Sequence, residues 1–120
     1  MERARFELLV EESLRKIPRR FKRLLANIAV VVETEPSPEV YRQLGASPGA
    51  GLILGLYHGV PFPHRGPYYG NTPPDVISIY QIPIETICYG EEEIKDKVRE
   101  VVIHEIGHYF GLSDEEMGNR

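Results

Sequence analysis

The chain has 120 residues, of which 42% are hydrophobic and 27% are charged, and its formal net charge is −4. These values predict one soluble globular domain over residues 1–120. Frequent charges in the N-terminal segment exclude a secretory signal, and the apolar stretches are far shorter than the roughly 20 residues of a membrane span. A single cysteine, Cys88, excludes an internal disulfide, so we expect a cytoplasmic location.

Basic residues are concentrated at the N-terminus, with eight of the fourteen lying within residues 1–23. The dense cluster at residues 15–23 could be a nucleic-acid-binding surface. Its cations are interleaved with Ile17 and Phe21, however, as on an amphipathic helix. An acidic chain also lacks the electrostatic signature of nucleic-acid binding. We therefore expect a solvated helix face and no nucleic-acid partner.

The first half of the chain predicts helices and strands in alternation. In chain order these are a helix at 3–16, a helical turn from Pro18, a strand at 29–33, a brief helix from Pro38 to Gly45 and a strand at 52–57. The first helix follows from apolar residues at three- and four-residue steps, and the strand at 29–33 from β-branched residues. Ser37 is a suitable N-cap for the brief helix.

The second half begins with an irregular segment and ends in a long helix. Residues 58–75 contain five prolines and three glycines, and a loop of this length in a compact domain is usually functional or mobile. Alternating residues at 76–82 predict a third strand, followed by a turn or short helix at 83–88. A helix from Glu91 has acidic residues at its positive end. Gly111 is expected to end it in a left-handed conformation.

The end of that helix carries the sequence HEIGHYFGLSD, residues 104–114. His104 and His108 are four residues apart, so their Cβ atoms lie about 5–6 Å apart on one helix face and form a chelating pair. Glu105 lies about 100° round the helix from His104, which is a suitable position for a general base. A catalytic zinc takes three protein ligands and keeps a water. Gly111 permits the turn that would bring Asp114 in as the third.

These residues also have interpretations without a metal. A histidine on a mostly apolar helix is often a hydrogen-bonded core residue. Asp114 lies in a capping box formed by Ser113 and Glu116, although capping by Ser113 is compatible with ligation by Asp114. Met117 and Cys88 are interpreted as packing residues.

The spacing of His104, His108 and Asp114, with Gly111 between them, resembles the signature H-E-x-x-H-x-x-G-x-x-H/D of metzincin-like zinc metallopeptidases. The order of elements over the whole chain resembles the small bacterial zincin-like proteins, a family of minimal predicted metallopeptidases in which aspartate is the usual third ligand. The resemblance implies an α+β fold, a small mixed sheet with an edge strand above a long active-site helix. It also implies Zn²⁺ held by the two histidines and Asp114.

The implied reaction is hydrolysis of a peptide or an unstructured protein. Zinc polarises the scissile carbonyl and lowers the pKa of a bound water to about 7, while Glu105 takes the water's proton and passes it to the leaving amine. The resemblance implies that the substrate adds to an edge strand, which we expect at residues 76–82. Candidates for stabilising the oxyanion, for each of which a role as a packing residue or loop anchor is the favoured interpretation, are Tyr68, Tyr69, Tyr80, Tyr109, His58, His64 and Arg65.

Two other functions remain open. A bacterial zinc-dependent endoribonuclease family uses the spacing H-x-x-x-H-x-x-x-x-x-H, but it lacks the glutamate after the first histidine and has histidine as its third ligand. Glu105 and Asp114 therefore favour the peptidase. The other alternative is a zinc-stabilised, non-catalytic peptide-binding module, to which the six residues after Asp114 lend weight because they leave little chain to wall a cleft.

Overall fold

The computed structural model describes residues 1–45, 51–59 and 75–111. The helices are α1 (Arg3–Arg15), α2 (Arg19–Leu24), α3 (Pro38–Gln43), α4 (Gln81–Ile87) and α5 (Glu91–Phe110), with a 3₁₀ turn at Leu25–Asn27. The strands are β1 (Ile28–Glu33), β2 (Gly55–His58) and β3 (Asp75–Tyr80). Within these ranges, no helix combines the length and the apolar character needed to cross a membrane.

The three strands form one mixed sheet in the order β1-β3-β2. β1 and β3 run parallel, with Ile28 opposite Asp75. β2 and β3 run antiparallel, with Gly55 opposite Ile79. Helices and a small mixed sheet thus make up the fold, which confirms the expected α+β class.

The position expected for the third strand is wrong. We expected residues 76–82 to form the edge strand beside the long helix, whereas β3 lies in the centre of the sheet and residues 81 and 82 already belong to α4. Alternating apolar and polar residues are typical of a strand with one solvated face. Ser78 is nevertheless buried, and its hydroxyl is satisfied by the hydrogen bond that it donates to the carboxylate of Glu33 on β1. The edge strand that packs on α5 is β2.

The core lies between the sheet, α1 and α5. Its fully buried side chains include Phe6, Leu9, Ile77, Ile79, Ile84, Val98, Val102 and Ile106. Burying one such side chain contributes about 1.5–3 kcal/mol. A polar contact joins the two long helices inside this core, because the buried hydroxyl of Ser13 on α1 donates to the backbone carbonyl of Lys95 on α5.

The buried stripe on α5 fixes how the helix is rotated. Val98, Val102 and Ile106 are spaced four residues apart and are all buried. Because successive residues advance about 100° round a helix, the stripe that contains Val101 and Glu105 lies beside the buried one. That second stripe contacts β2.

The ends of two helices follow the sequence. The side-chain oxygen of Ser37 accepts a hydrogen bond from the amide of Val40, which confirms the predicted N-cap of α3. Gly111 follows the last residue of α5 with φ 69° and ψ 30°. This is the left-handed conformation that glycine adopts at little steric cost, so the predicted helix end is confirmed.

Strand β2 passes closely over α5 at Gly55. A Cβ atom added there would lie 2.5 Å from Cγ1 of Val101 and 2.9 Å from the backbone oxygen of Ser78. Only a residue without a side chain fits between the helix and the central strand. The glycine therefore sets the distance between β2 and α5.

Replacing Gly55 by alanine tests this close approach. The added methyl group has to displace Val101 or β2, so we expect Gly55→Ala to lower the free energy of unfolding by about 1–3 kcal/mol, as overpacking does. Urea denaturation followed by circular dichroism measures the loss. In a Val101→Ala background the same substitution should cost less, because the closest contact is gone. Equal stability of Gly55→Ala and wild type would contradict the contact.

Candidate metal centre

The two histidines of the motif lie side by side near the end of α5. His104 is half-buried and His108 is exposed. Their ring centroids are 4.2 Å apart, with the ring planes at 61°. The helix is regular through both positions, so the four-residue spacing brings the two imidazoles onto one face as expected. The pair offers two nitrogen donors at one place.

Glu105 lies on the flank of this pair and is directed to the edge strand. Its Oε1 accepts a hydrogen bond of 2.9 Å from the backbone N–H of Tyr57 on β2. Hydrogen bonds to an ionised carboxylate are about twice as strong as neutral ones. Strand β2 thus holds the side chain of Glu105, which is predicted to act as the general base.

Tyr57 is attached to its surroundings by its side chain as well. Its ring stacks on the ring of Tyr109, with centroids 4.1 Å apart and planes at 11°. Its hydroxyl donates a hydrogen bond of 2.7 Å to Oδ2 of Asp75, the first residue of β3. Sequence reasoning missed Tyr57 and Asp75. The available signal for Tyr57 in the sequence was the short segment Gly55–Gly59, which begins and ends with a glycine and has the tyrosine at its centre.

Within the described part of the chain, strand β2 presents an open sheet edge beside these residues. The carbonyl of Leu54, just before the strand, accepts a hydrogen bond of 2.9 Å from the amide of Tyr80. In an antiparallel pair the N–H and C=O of one residue point the same way, and successive residues alternate. Gly55 and Tyr57 therefore direct their backbone polar groups away from β3. One of these groups, the N–H of Tyr57, is bonded to Glu105.

A groove of 410 Å³ lies next to this open edge. Its walls are formed by the segment Leu52–Gly55 and by residues of α5, namely Glu100, Val101, His104 and Glu105. The wall is apolar on the side of the strand and carries two carboxylates and an imidazole on the side of the helix.

Two of the predicted zinc ligands lie within the described residues. Among residues 1–45, 51–59 and 75–111, no three His, Cys, Asp or Glu side chains are grouped so that they could hold a metal ion. The imidazoles of His104 and His108 suit zinc as neighbouring nitrogen donors, and the set needs one more ligand. Asp114, the predicted third ligand, lies outside the described residues, so its role stays a prediction. His104 and His108 therefore suit zinc, but the described residues do not complete its set of ligands.

The predicted oxyanion-stabilising residues are only partly described. His64, Arg65, Tyr68 and Tyr69 lie outside the described residues, as does Met117. His58 alternates with Tyr57 along β2 and so belongs to the opposite face of the sheet. Tyr109 contributes its ring to the stack with Tyr57. For Tyr109 this ring contact agrees with the packing interpretation.

Tyr80 is buried at the end of β3, opposite Glu33 of β1. Within the described part of the chain its hydroxyl has no hydrogen-bond partner. Burial, and then the negative charge of Glu33, raise the pKa of the Tyr80 hydroxyl above its usual value. The side chain therefore stays neutral at physiological pH and contributes mainly to packing between the two strands.

Cys88 is half-buried and packs against the edge of the core. Its Sγ donates a weak hydrogen bond of 3.6 Å to the backbone carbonyl of Glu93. Burial raises the pKa of the Cys88 thiol. A protonated thiol is a poor nucleophile, which agrees with the interpretation as a packing residue.

Comparison with known proteins gives the family. The profile of the zincin-like metallopeptidase family matches residues 25–120. A solved structure of a conserved hypothetical protein from Thermus thermophilus is similar, with a TM-score of 0.57 and 23% sequence identity over 92% of this chain and 94% of that one. That likeness concerns the fold. No curated protein matches this chain. Since the family profile extends over most of the sequence, the chain belongs to the zincin-like metallopeptidase family.

Proposed function

We propose that this protein is a zinc-dependent metallopeptidase that hydrolyses extended peptides or unstructured proteins. The observation that carries the proposal is the placement of Glu105, which follows His104 on α5 and whose carboxylate accepts a hydrogen bond from the outward N–H of Tyr57 on β2. A general base has to be within reach of both the metal's water and the scissile bond. Membership of the zincin-like family supports the same reaction class.

The zinc would be held by His104 and His108, with Asp114 as the third ligand. Zincin-like proteins normally bind this metal. When bound, zinc polarises the peptide carbonyl and makes water more acidic. The half-buried position of His104 beside the groove supports this placement, because it gives a substrate access to one side of the pair.

The other steps belong to the residues of the chain. A peptide pairs with the open edge of β2 at Gly55, while the N–H of Tyr57 stays bonded to Glu105, and one of its side chains enters the groove beside Val101. Glu105 accepts a proton from the attacking water and donates it to the leaving amine, so that the amine leaves as a neutral group. The stack of Tyr57 on Tyr109 holds β2 on α5 during both transfers.

Replacing Glu105 by glutamine tests the proposed role of the carboxylate. Glutamine keeps the size and the hydrogen-bond acceptor but cannot take a proton. We expect the zinc content to stay at the wild-type level and kcat for unstructured peptides to fall by about 100-fold or more. Metal analysis of untagged protein and a peptide-library cleavage assay measure the two quantities.

Glu11→Gln is the matched control, because Glu11 is exposed on α1. This variant should cleave peptides at the wild-type rate. Cleavage that persists in Glu105→Gln would remove Glu105 from the mechanism. Peptide binding without cleavage in both wild type and variant would indicate the non-catalytic module, and cutting of structured RNA with peptides left intact would indicate the endoribonuclease.

A second prediction concerns Asp114. If it is a zinc ligand, Asp114→Ala should weaken zinc binding by more than the roughly 10- to 100-fold that loss of an outer hydrogen-bonding partner costs. Ser113→Ala separates the capping role, because loss of a cap lowers stability by about 0.5–2 kcal/mol and leaves the zinc affinity unchanged.

Competition with a chromophoric chelator measures the zinc Kd of these variants. The matched control is Asp96→Ala, which removes an exposed carboxylate of α5 that pairs with Arg99. A zinc Kd that is the same in Asp114→Ala and wild type would exclude Asp114 from the site. A protein that holds no zinc and keeps its stability in the presence of a chelator would contradict the metal centre as a whole.

A further inference from the structure

We infer that Tyr57 is a positioning residue for Glu105: its side chain fastens β2 to the end of α5 and thereby fixes the backbone N–H that holds the carboxylate. The inference rests on the proposed function, in which Glu105 is the general base. Tyr57 lies far from the zinc-binding motif in the sequence. Only the folded structure brings it into contact with the motif.

The first step is that β2 needs an additional attachment. The strand has four residues and, among the described residues, one neighbour in the sheet, β3. Short edge strands are among the least stable parts of a sheet and open locally. A backbone N–H on such a strand holds a carboxylate in one place only while the strand itself stays in place.

The second step is that the Tyr57 side chain supplies this attachment from two directions. Its ring lies flat on Tyr109, which directly follows His108 on α5. Its hydroxyl bonds to Asp75, which is buried at the start of β3. One side chain thus joins the edge strand both to the central strand and to the helical turn that carries the second histidine.

The third step concerns how closely this arrangement is packed. A Cβ atom added to Gly59 would lie 2.7 Å from Cε1 of Tyr57 and 2.8 Å from Cγ of Asp75. The backbone after β2 therefore passes directly over the tyrosine and the aspartate. With Tyr109 on another side, the ring of Tyr57 has little freedom to move.

The fourth step is that the contacts on α5 follow one stripe. Val101, Glu105 and Tyr109 are spaced four residues apart and meet β2 at Gly55, at the amide of Tyr57 and at the ring of Tyr57. The neighbouring stripe contains His104 and His108. Fixing β2 on the first stripe therefore sets the carboxylate relative to the imidazoles, without any contact between Tyr57 and a histidine being required.

The test compares Tyr57→Leu, which removes the ring stack and the hydroxyl, with Tyr57→Phe, which keeps the ring. Tyr89→Leu is the matched control, because Tyr89 is 89% exposed. All variants are made in the full chain. Hydrogen exchange of the residue 57 amide, zinc Kd, and kcat and KM for an unstructured peptide are measured for each.

We expect Tyr57→Leu to speed exchange of the residue 57 amide while the amide of Ile79 in β3 stays protected. Its kcat should fall by about 10- to 100-fold, the loss expected from a small misplacement of a reacting group, with zinc Kd and KM little changed. Tyr57→Phe should recover most of the loss, and Tyr89→Leu should behave as wild type.

Unchanged exchange at residue 57 together with unchanged kcat in Tyr57→Leu would overturn the inference. So would a rise in zinc Kd that matches the fall in kcat, because that result would assign Tyr57 to the metal site itself. If Tyr57→Leu does not fold, Tyr57→Phe decides the matter. Loss of the bond to Asp75 should then give a smaller increase in exchange at residue 57, and no increase would overturn the inference.

Exchange also separates this inference from the proposed function. Should the wild type cleave no peptide, the residue 57 amide is compared between wild type and Glu105→Ala. Faster exchange in Glu105→Ala, and likewise in Tyr57→Leu, would support the positioning contact although the peptidase proposal had failed. Equal exchange in all three proteins would overturn the contact itself.

Discussion

The rotation of α5 about its own axis is the constraint on which the rest of the structure depends. Burial of Val98, Val102 and Ile106 against α1 and the sheet fixes that rotation. At about 100° per residue, every other stripe of the helix then has its direction set. One stripe faces β2, and the next carries the two histidines, of which His104 lines the groove. The packing of the core therefore also determines the geometry of the site, because burial of a different stripe would turn the imidazoles in another direction.

The N-terminal half of α5 is fastened separately by α1. Arg5 pairs with Glu91 in the first turn, and the hydrogen bond from its guanidinium lowers the pKa of the Glu91 carboxyl. Further along, Lys95 forms ion pairs with Glu12 of α1 and Glu92, and its carbonyl accepts from buried Ser13. These contacts lie two or more turns before the histidines. The last two turns are consequently free to combine half-buried and exposed polar side chains without opening the core.

Much of the fold could be predicted because its signals are local. The end of α5 at Gly111 and the cap at Ser37 depend on neighbouring residues, and the facing of His104 and His108 depends on helix geometry alone. The order of the strands does not depend on such local signals. Nothing near Ser78 indicates that Glu33 will satisfy its hydroxyl and so allow this residue to be buried. The bond from Tyr57 to Glu105 joins positions 48 residues apart, and sequence patterns do not specify such pairs.

The bond between the Tyr57 amide and the Glu105 carboxylate has a further effect, on how copies of the chain meet. An exposed sheet edge is a template for another chain, and unpaired N–H groups are what an incoming strand recruits. Here the edge strand has four residues, and one of its outward amides is already bonded to an anion. A strand that pairs with β2 beyond Gly55 would have to displace a charged group, so a substrate peptide can pair at Gly55 while a longer extension of the sheet is opposed. The carboxylate of Glu105 thus limits how far another chain can pair along this edge.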